Sequence, residues 1–167
     1  MNVIRVGPLP FAAVLCSLLA TAAFASPSAE TTPLAGMKEG KIIFDITEGD
    51  GKALLVRIES IDETRQDLIK QGITPRFVLS FRGPATLLVQ TDLDKVKPEN
   101  RPFAGQISAL ITQLSKAPGV ESLEQCGVAV RHAGTKTENV LPPIKVVANS
   151  FVTIMAWEAK GYAYIRA

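Results

Sequence analysis

One thiol carries most of the chemistry that this sequence offers. Outside the N-terminal segment, which contains Cys16, the chain has a single cysteine, Cys126, followed at once by Gly127. Cys126 closes the run Val120 to Gln125 (VESLEQ), a short candidate strand, and a weak helical segment follows it. A sulfur between a strand's carboxyl end and a helix start meets unpaired backbone N–H groups and the positive end of the helix dipole. Both favour negative charge and lower a thiol pKa. An accessible thiolate is a nucleophile and can hold sulfur as a persulfide. Gly127 leaves room for close approach to the sulfur. The same position also suits a cysteine packed beneath the turn as a small core hydrophobe. Position alone leaves both readings open.

Other residues could join it. Ligands in α/β sheets sit outside the carboxyl ends of the strands, which singles out Arg82-Gly83, Cys126-Gly127, Asn149-Ser150 and the turn Glu48 to Gly51. Arg82 is placed to hold an anion at the rim. His132, the only histidine, lies six residues beyond Cys126, a helical rotation of about 240° that points it away and makes it a surface residue. The Gly49-Asp50-Gly51 turn fits neither G-x-G-x-x-G nor a P-loop, and its acid repels phosphate, so it reads as a plain turn. Phe151, Met155 and Trp157 read as core or subunit contacts. With one histidine and no G-x-S-x-G, the chain supports neither a metal site nor a conventional triad, and no cofactor is expected.

Strands alternating with helices must position these residues. Lys41 to Thr47 (KIIFDIT) predicts a first strand, and Leu54, Ile58, Ile61 and Leu68 mark one face of a helix that stops at Gly72. Arg76 to Phe81 predicts a second strand, with a short helix from Ala85 to Val89 and a polar surface connection from Thr91 to Arg101. Pro102 opens a helix whose face is Ile107, Leu110, Ile111 and Leu114. After the Cys126 turn and its weak helix, which Pro142-Pro143 ends, come a fourth strand (Ile144 to Ala148), a helix (Phe151 to Lys160) capped by Asn149-Ser150, and a last strand (Tyr162 to Ile165). This alternation predicts an α/β fold with a five-stranded, largely parallel sheet and helices on both faces.

The first 40 residues stand outside that pattern. Arg5, an apolar stretch from Leu9 to Ala20 and the closing Ala23-Phe24-Ala25 describe a cleavable secretory signal over residues 1–25. Pro8, Pro10 and Ser17 interrupt the run against the alternative of a membrane anchor, and Leu15 before Cys16 does not suit a lipoprotein signal. Residues 26–40 (SPSAETTPLAGMKEG) read as a tether, and residues 41–167 as one domain. Cleavage removes Arg5 and no acid, taking the net charge from +2 to +1. It also leaves Cys126 as the only thiol of a protein expected in the periplasm, with no membrane attachment. A composition of 47% apolar and 20% charged residues with interleaved signs excludes a disordered polyelectrolyte and a nucleic-acid-binding surface.

The segments FVLSFRGPATLL (Phe77 to Leu88), GVESLEQCGVAV (Gly119 to Val130) and VVANSFVTIMAWEAKGYAYIRA (Val146 to Ala167) resemble the DsrE/DsrF-like family of sulfur-relay proteins. The resemblance spans Lys41 to Ala167. It implies the five-stranded α/β fold, homo- or hetero-oligomers that are often trimers or hexamers, and a cysteine, here Cys126, that accepts and passes on sulfur as a persulfide between donor and acceptor proteins. Members commonly carry His-Gly where this chain has Arg82-Gly83, so the resemblance implies no histidine chemistry here. An arginine could instead stabilise an anionic persulfide or thiosulfonate.

The expected function is thus a periplasmic sulfur carrier using Cys126, with Gly127, Arg82, Gly83, Asn149 and Ser150 around it. The alternative is a non-catalytic, oligomeric module or scaffold of the same fold that binds a small anion.

Overall fold

The computed structural model describes residues 33–167. The expected signal peptide and the first part of the tether lie outside the described residues. The elements are β1 (Glu39–Ile46), α1 (Gly51–Lys70), β2 (Thr74–Phe81), α2 (Arg101–Leu114), β3 (Val120–Cys126), α3 (Gly127–His132), β4 (Lys145–Val147), α4 (Ser150–Ala159) and β5 (Ala163–Arg166). The five strands form one parallel sheet in the order β4-β3-β2-β1-β5. The chain steps across the sheet from β1 to β4 and then returns past all of it to place β5 beside β1.

That return gives the sheet two unlike faces. One face carries Phe44 and Ile46 of β1, Phe77, Leu79 and Phe81 of β2, and Leu123 of β3. Leu54, Ile58 and Ile61 of α1, Ile107, Ile111 and Leu114 of α2, and Val130 of α3 cover it. Each fully buried side chain of this size stabilises the fold by about 1.5–3 kcal/mol relative to exposure. The other face has α4 alone, with Ile154 and Tyr162 packed on Ile43 and Val78 and half-buried Trp157 at their edge. Strand residues alternate between faces, so the second face also receives the polar residues of β1, β2 and β3. Asp45, Ser80 and Glu124 pair in register across those strands, and all three are buried.

Capping explains the helix limits. Asp50 accepts a hydrogen bond from the Ala53 N–H at 2.8 Å and starts α1, so the expected plain turn is a helix cap. Gly72, at φ 75°, turns the chain out of α1 into β2. Asn149 caps α4 by accepting from the Phe151 N–H at 3.0 Å.

Three local expectations need correction. The first strand begins at Glu39, inside the expected tether, because main-chain pairing of Glu39 and Gly40 with Thr74 and Pro75 requires no apolar side chain. Gly40 is packed rather than loose, since a Cβ there would stand 2.7 Å from Leu68 Cδ1. The expected short helix at 85–89 is a 3-10 turn, Gly83–Leu87, that opens with Pro84.

A buried ion pair fixes the second face. The Arg82 Nε and Nη2 groups donate to the Asp45 carboxylate at 2.6 and 2.5 Å, and the Tyr164 hydroxyl donates to the same carboxylate at 2.6 Å. The Asp45 side chain is 1% exposed and that of Arg82 25%. Removing one partner of such a pair strands the other charge. Asp45→Ala should therefore lower stability by about 3 kcal/mol in urea unfolding. A loss under about 1 kcal/mol would show that Arg82 finds solvent instead.

Candidate functional site

The sheet topology picks out one crevice. After β3 the chain turns to the face covered by three helices, and after β4 it turns to the face covered by α4. Adjacent strands whose connections part to opposite faces leave a gap at their carboxyl ends, where α/β proteins bind ligands. Cys126 ends β3 at this gap, and Asn149-Ser150 follows β4 on its other side.

Cys126 is the N-cap of α3, in extended conformation, and only 5% exposed. The Ser150 N–H donates to its sulfur at 3.4 Å. Burial opposes ionisation of the thiol. The Ser150 hydroxyl and N–H, with the N–H groups of Ala129 and Val128, outweigh that penalty and hold the pKa below its ordinary value. The Ser150 hydroxyl is itself buried and has no hydrogen-bond partner of normal geometry. Beneath the site, buried Gln125 donates to Thr86 Oγ1 at 3.0 Å and to the Cys126 carbonyl at 3.1 Å, which ties the end of β3 to the 3-10 turn after β2.

A cavity of about 580 Å³ has Cys126 in its wall. Arg82, Gly83, Asn149 and Ser150, all expected from sequence, line it together with Cys126. Gly83 has φ 57°, which suits glycine at the turn out of β2. Arg82 reaches the cavity already paired with Asp45, and its guanidinium lies 4.8 Å from the Phe151 ring centroid. It is therefore a fixed part of the wall rather than a free arm. Apolar side chains, chiefly Pro84, Leu87, Val128 and Phe151, complete the walls.

Two expectations change. Gly127 does not line the cavity. A Cβ there would lie 2.9 Å from the Val147 carbonyl and 3.3 Å from that of Ala148, so the missing side chain admits the β4 backbone rather than a ligand. His132 is exposed as expected, but it lines the same cavity as Cys126 instead of pointing away. Cys126 precedes the helix, so the rotation that matters runs from Val128 and Ala129, which share a face with His132. Of the two readings of Phe151 and Met155, core or subunit contact, their exposure of 63% and 62% excludes the core one.

Sequence reasoning did not single out Asp45 or Leu87. Asp45 had a signal, a carboxylate within an otherwise apolar strand that needs a buried cation. Leu87 had none, because its role depends on how the turn after β2 meets α3.

Comparisons place the fold. No family model matches the chain. An uncharacterised protein of Aquifex aeolicus (strain VF5) is 26% identical over 125 residues, covering 75% of this chain and 55% of that protein. The chain thus spans little more than half the length of this relative. A solved structure of a protein of unknown function from Methanobacterium thermoautotrophicum aligns with TM-score 0.57 and 22% identity, over 77% of this chain and 99% of that one. The chain is an α/β protein with a five-stranded parallel sheet, and that structure shares its fold.

The thiol rate with iodoacetamide follows the thiolate fraction, which falls as pH drops through the Cys126 pKa. Folded protein should stay reactive at pH values below the ordinary thiol midpoint of about 8.5, and Ser150→Ala should move its midpoint upward. An unchanged midpoint would remove the hydroxyl from any part in holding the charge.

Proposed function

We propose that the protein carries sulfane sulfur as a persulfide on Cys126. The observation that supports this best is a thiol with a lowered pKa on the wall of a ligand-sized cavity, receiving the Ser150 N–H at 3.4 Å. The Cys126 thiolate attacks the terminal sulfur of a donor. A new S–S bond forms, the donor's own S–S bond breaks, and its electron pair leaves with the donor's remaining sulfur. Passing the sulfur on to an acceptor reverses these roles. The resemblance of the Gly119 to Val130 segment, which holds Cys126, to DsrE/DsrF-like proteins supports the same reading. The reading of residues 1–25 as a secretory signal, with Ala23-Phe24-Ala25 at its end, supports carriage in the periplasm.

A second reading is a small-anion binding module in which Cys126 is incidental. The Ser150 N–H and the fixed Arg82 cation favour it. Intact mass of the mature protein before and after polysulfide separates the two. Carriage predicts sulfur addition that reductant reverses and that Cys126→Ser abolishes. No addition, with Cys126 inert to alkylation in the folded state, defeats carriage.

The protein is also proposed to be a homo-oligomer. Val152 and Met155 stand 57% and 62% exposed on α4, the single helix of its face. Sedimentation at micromolar concentration should give more than one copy, and a monomer overturns the assignment.

A further inference from the structure

The cavity over Cys126 is more than an inorganic sulfur species requires. Its walls are chiefly Pro84, Leu87, Val128 and Phe151, and apolar walls give an inorganic anion nothing in return for lost water. Its volume of about 580 Å³ lies within the range of roughly 300–1,000 Å³ typical of small-molecule sites. Cys126 is only 5% exposed. A thiol on the surface of a folded protein reaches so buried a sulfur only on an extended segment, whereas a small molecule enters whole. Ser150 and Arg82, with Asn149 and His132 on the same wall, give such a molecule an orientation. The buried Ser150 hydroxyl, without a hydrogen-bond partner of normal geometry, lies beside Cys126, and Arg82, its charge balanced by Asp45, sets its guanidinium in the wall.

We infer that the cavity takes a low-molecular-weight organic sulfane-sulfur compound, a persulfide or thiosulfonate, whose apolar body lies against Leu87, Val128 and Phe151 while its terminal sulfur meets Cys126. This inference rests on the proposed carriage and names the class of donor for it. With a thiosulfonate, R–SO2–S⁻, the Cys126 thiolate pair forms the new S–S bond to the terminal sulfur. The bond from that sulfur to the sulfonyl group breaks, and its electron pair leaves on the sulfinate R–SO2⁻. The product is the Cys126 persulfide, and no other oxidant or reductant is consumed.

Thiosulfate, methanethiosulfonate and benzenethiosulfonate present the same terminal sulfur on bodies of increasing apolar size. Loading of the full mature protein is followed by intact mass, with each rate divided by that of the same donor with free cysteine. The normalised rate should rise along the series, with benzenethiosulfonate about tenfold or more above thiosulfate, the discrimination that apolar contacts commonly supply. Leu87→Ser should cut that ratio about tenfold, and so should Phe151→Ser, which alters an exposed side chain and serves where Leu87→Ser fails to fold. A flat normalised series, or a rising one that neither substitution changes, overturns the inference while leaving carriage intact. Failure of every donor, polysulfide included, to load Cys126 overturns both.

Discussion

A carboxylate without access to water governs the site. Asp45 stands near the carboxyl end of an inner strand with no exposed surface, and an isolated charge there is unaffordable. Two N–H donors of Arg82 and the Tyr164 hydroxyl satisfy it. These bonds join β1, β2 and β5, and they hold the guanidinium where Phe151 stacks on it at the first turn of α4. The start of α4 is in turn the segment that delivers the Ser150 N–H to Cys126. Arg82 thus does two jobs with one geometry. It neutralises a buried acid and sets a fixed guanidinium in the cavity wall.

The unequal faces of the sheet explain where ligand and partner surfaces fall. Three helices seal one face with apolar side chains, and the core there is continuous. The other face has one ten-residue helix, a smaller apolar cluster and the buried row Asp45, Ser80 and Glu124. Glu124 is held by the Trp157 indole N–H at 3.1 Å and by Ser122 at 3.0 Å, so the row is tied to the same helix. A lone helix leaves its outer side uncovered, which is why Phe151, Val152 and Met155 remain exposed beside the cavity. One side of the cavity and the apolar outer face belong to one element.

The departures from the sequence reading share one cause. Gly127 and Gly40 look like loose turn residues in a string of letters, yet each is a point where another element presses in, the β4 carbonyls on one and Leu68 on the other. His132 falls beside the cavity because Cys126 only caps the helix and lies outside its regular rotation. In each case the partner that decides the role lies far away in sequence or outside the regular repeat.

Local patterning determined much of this protein. Apolar runs and glycine or proline punctuation mark five strands and the main helices, because side-chain period and capping are properties of neighbouring residues. The same local logic put Cys126 at a strand end, Asn149-Ser150 at a helix start and Arg82-Gly83 at a turn. That these three meet around one cavity was decided only by tertiary structure. Strand order is set by which apolar faces bury together and by the return of the chain to place β5 beside β1, and neither is written in any one segment. The Asp45–Arg82 pair and the Ser150–Cys126 contact span 37 and 24 residues, distances over which only packing can choose a partner.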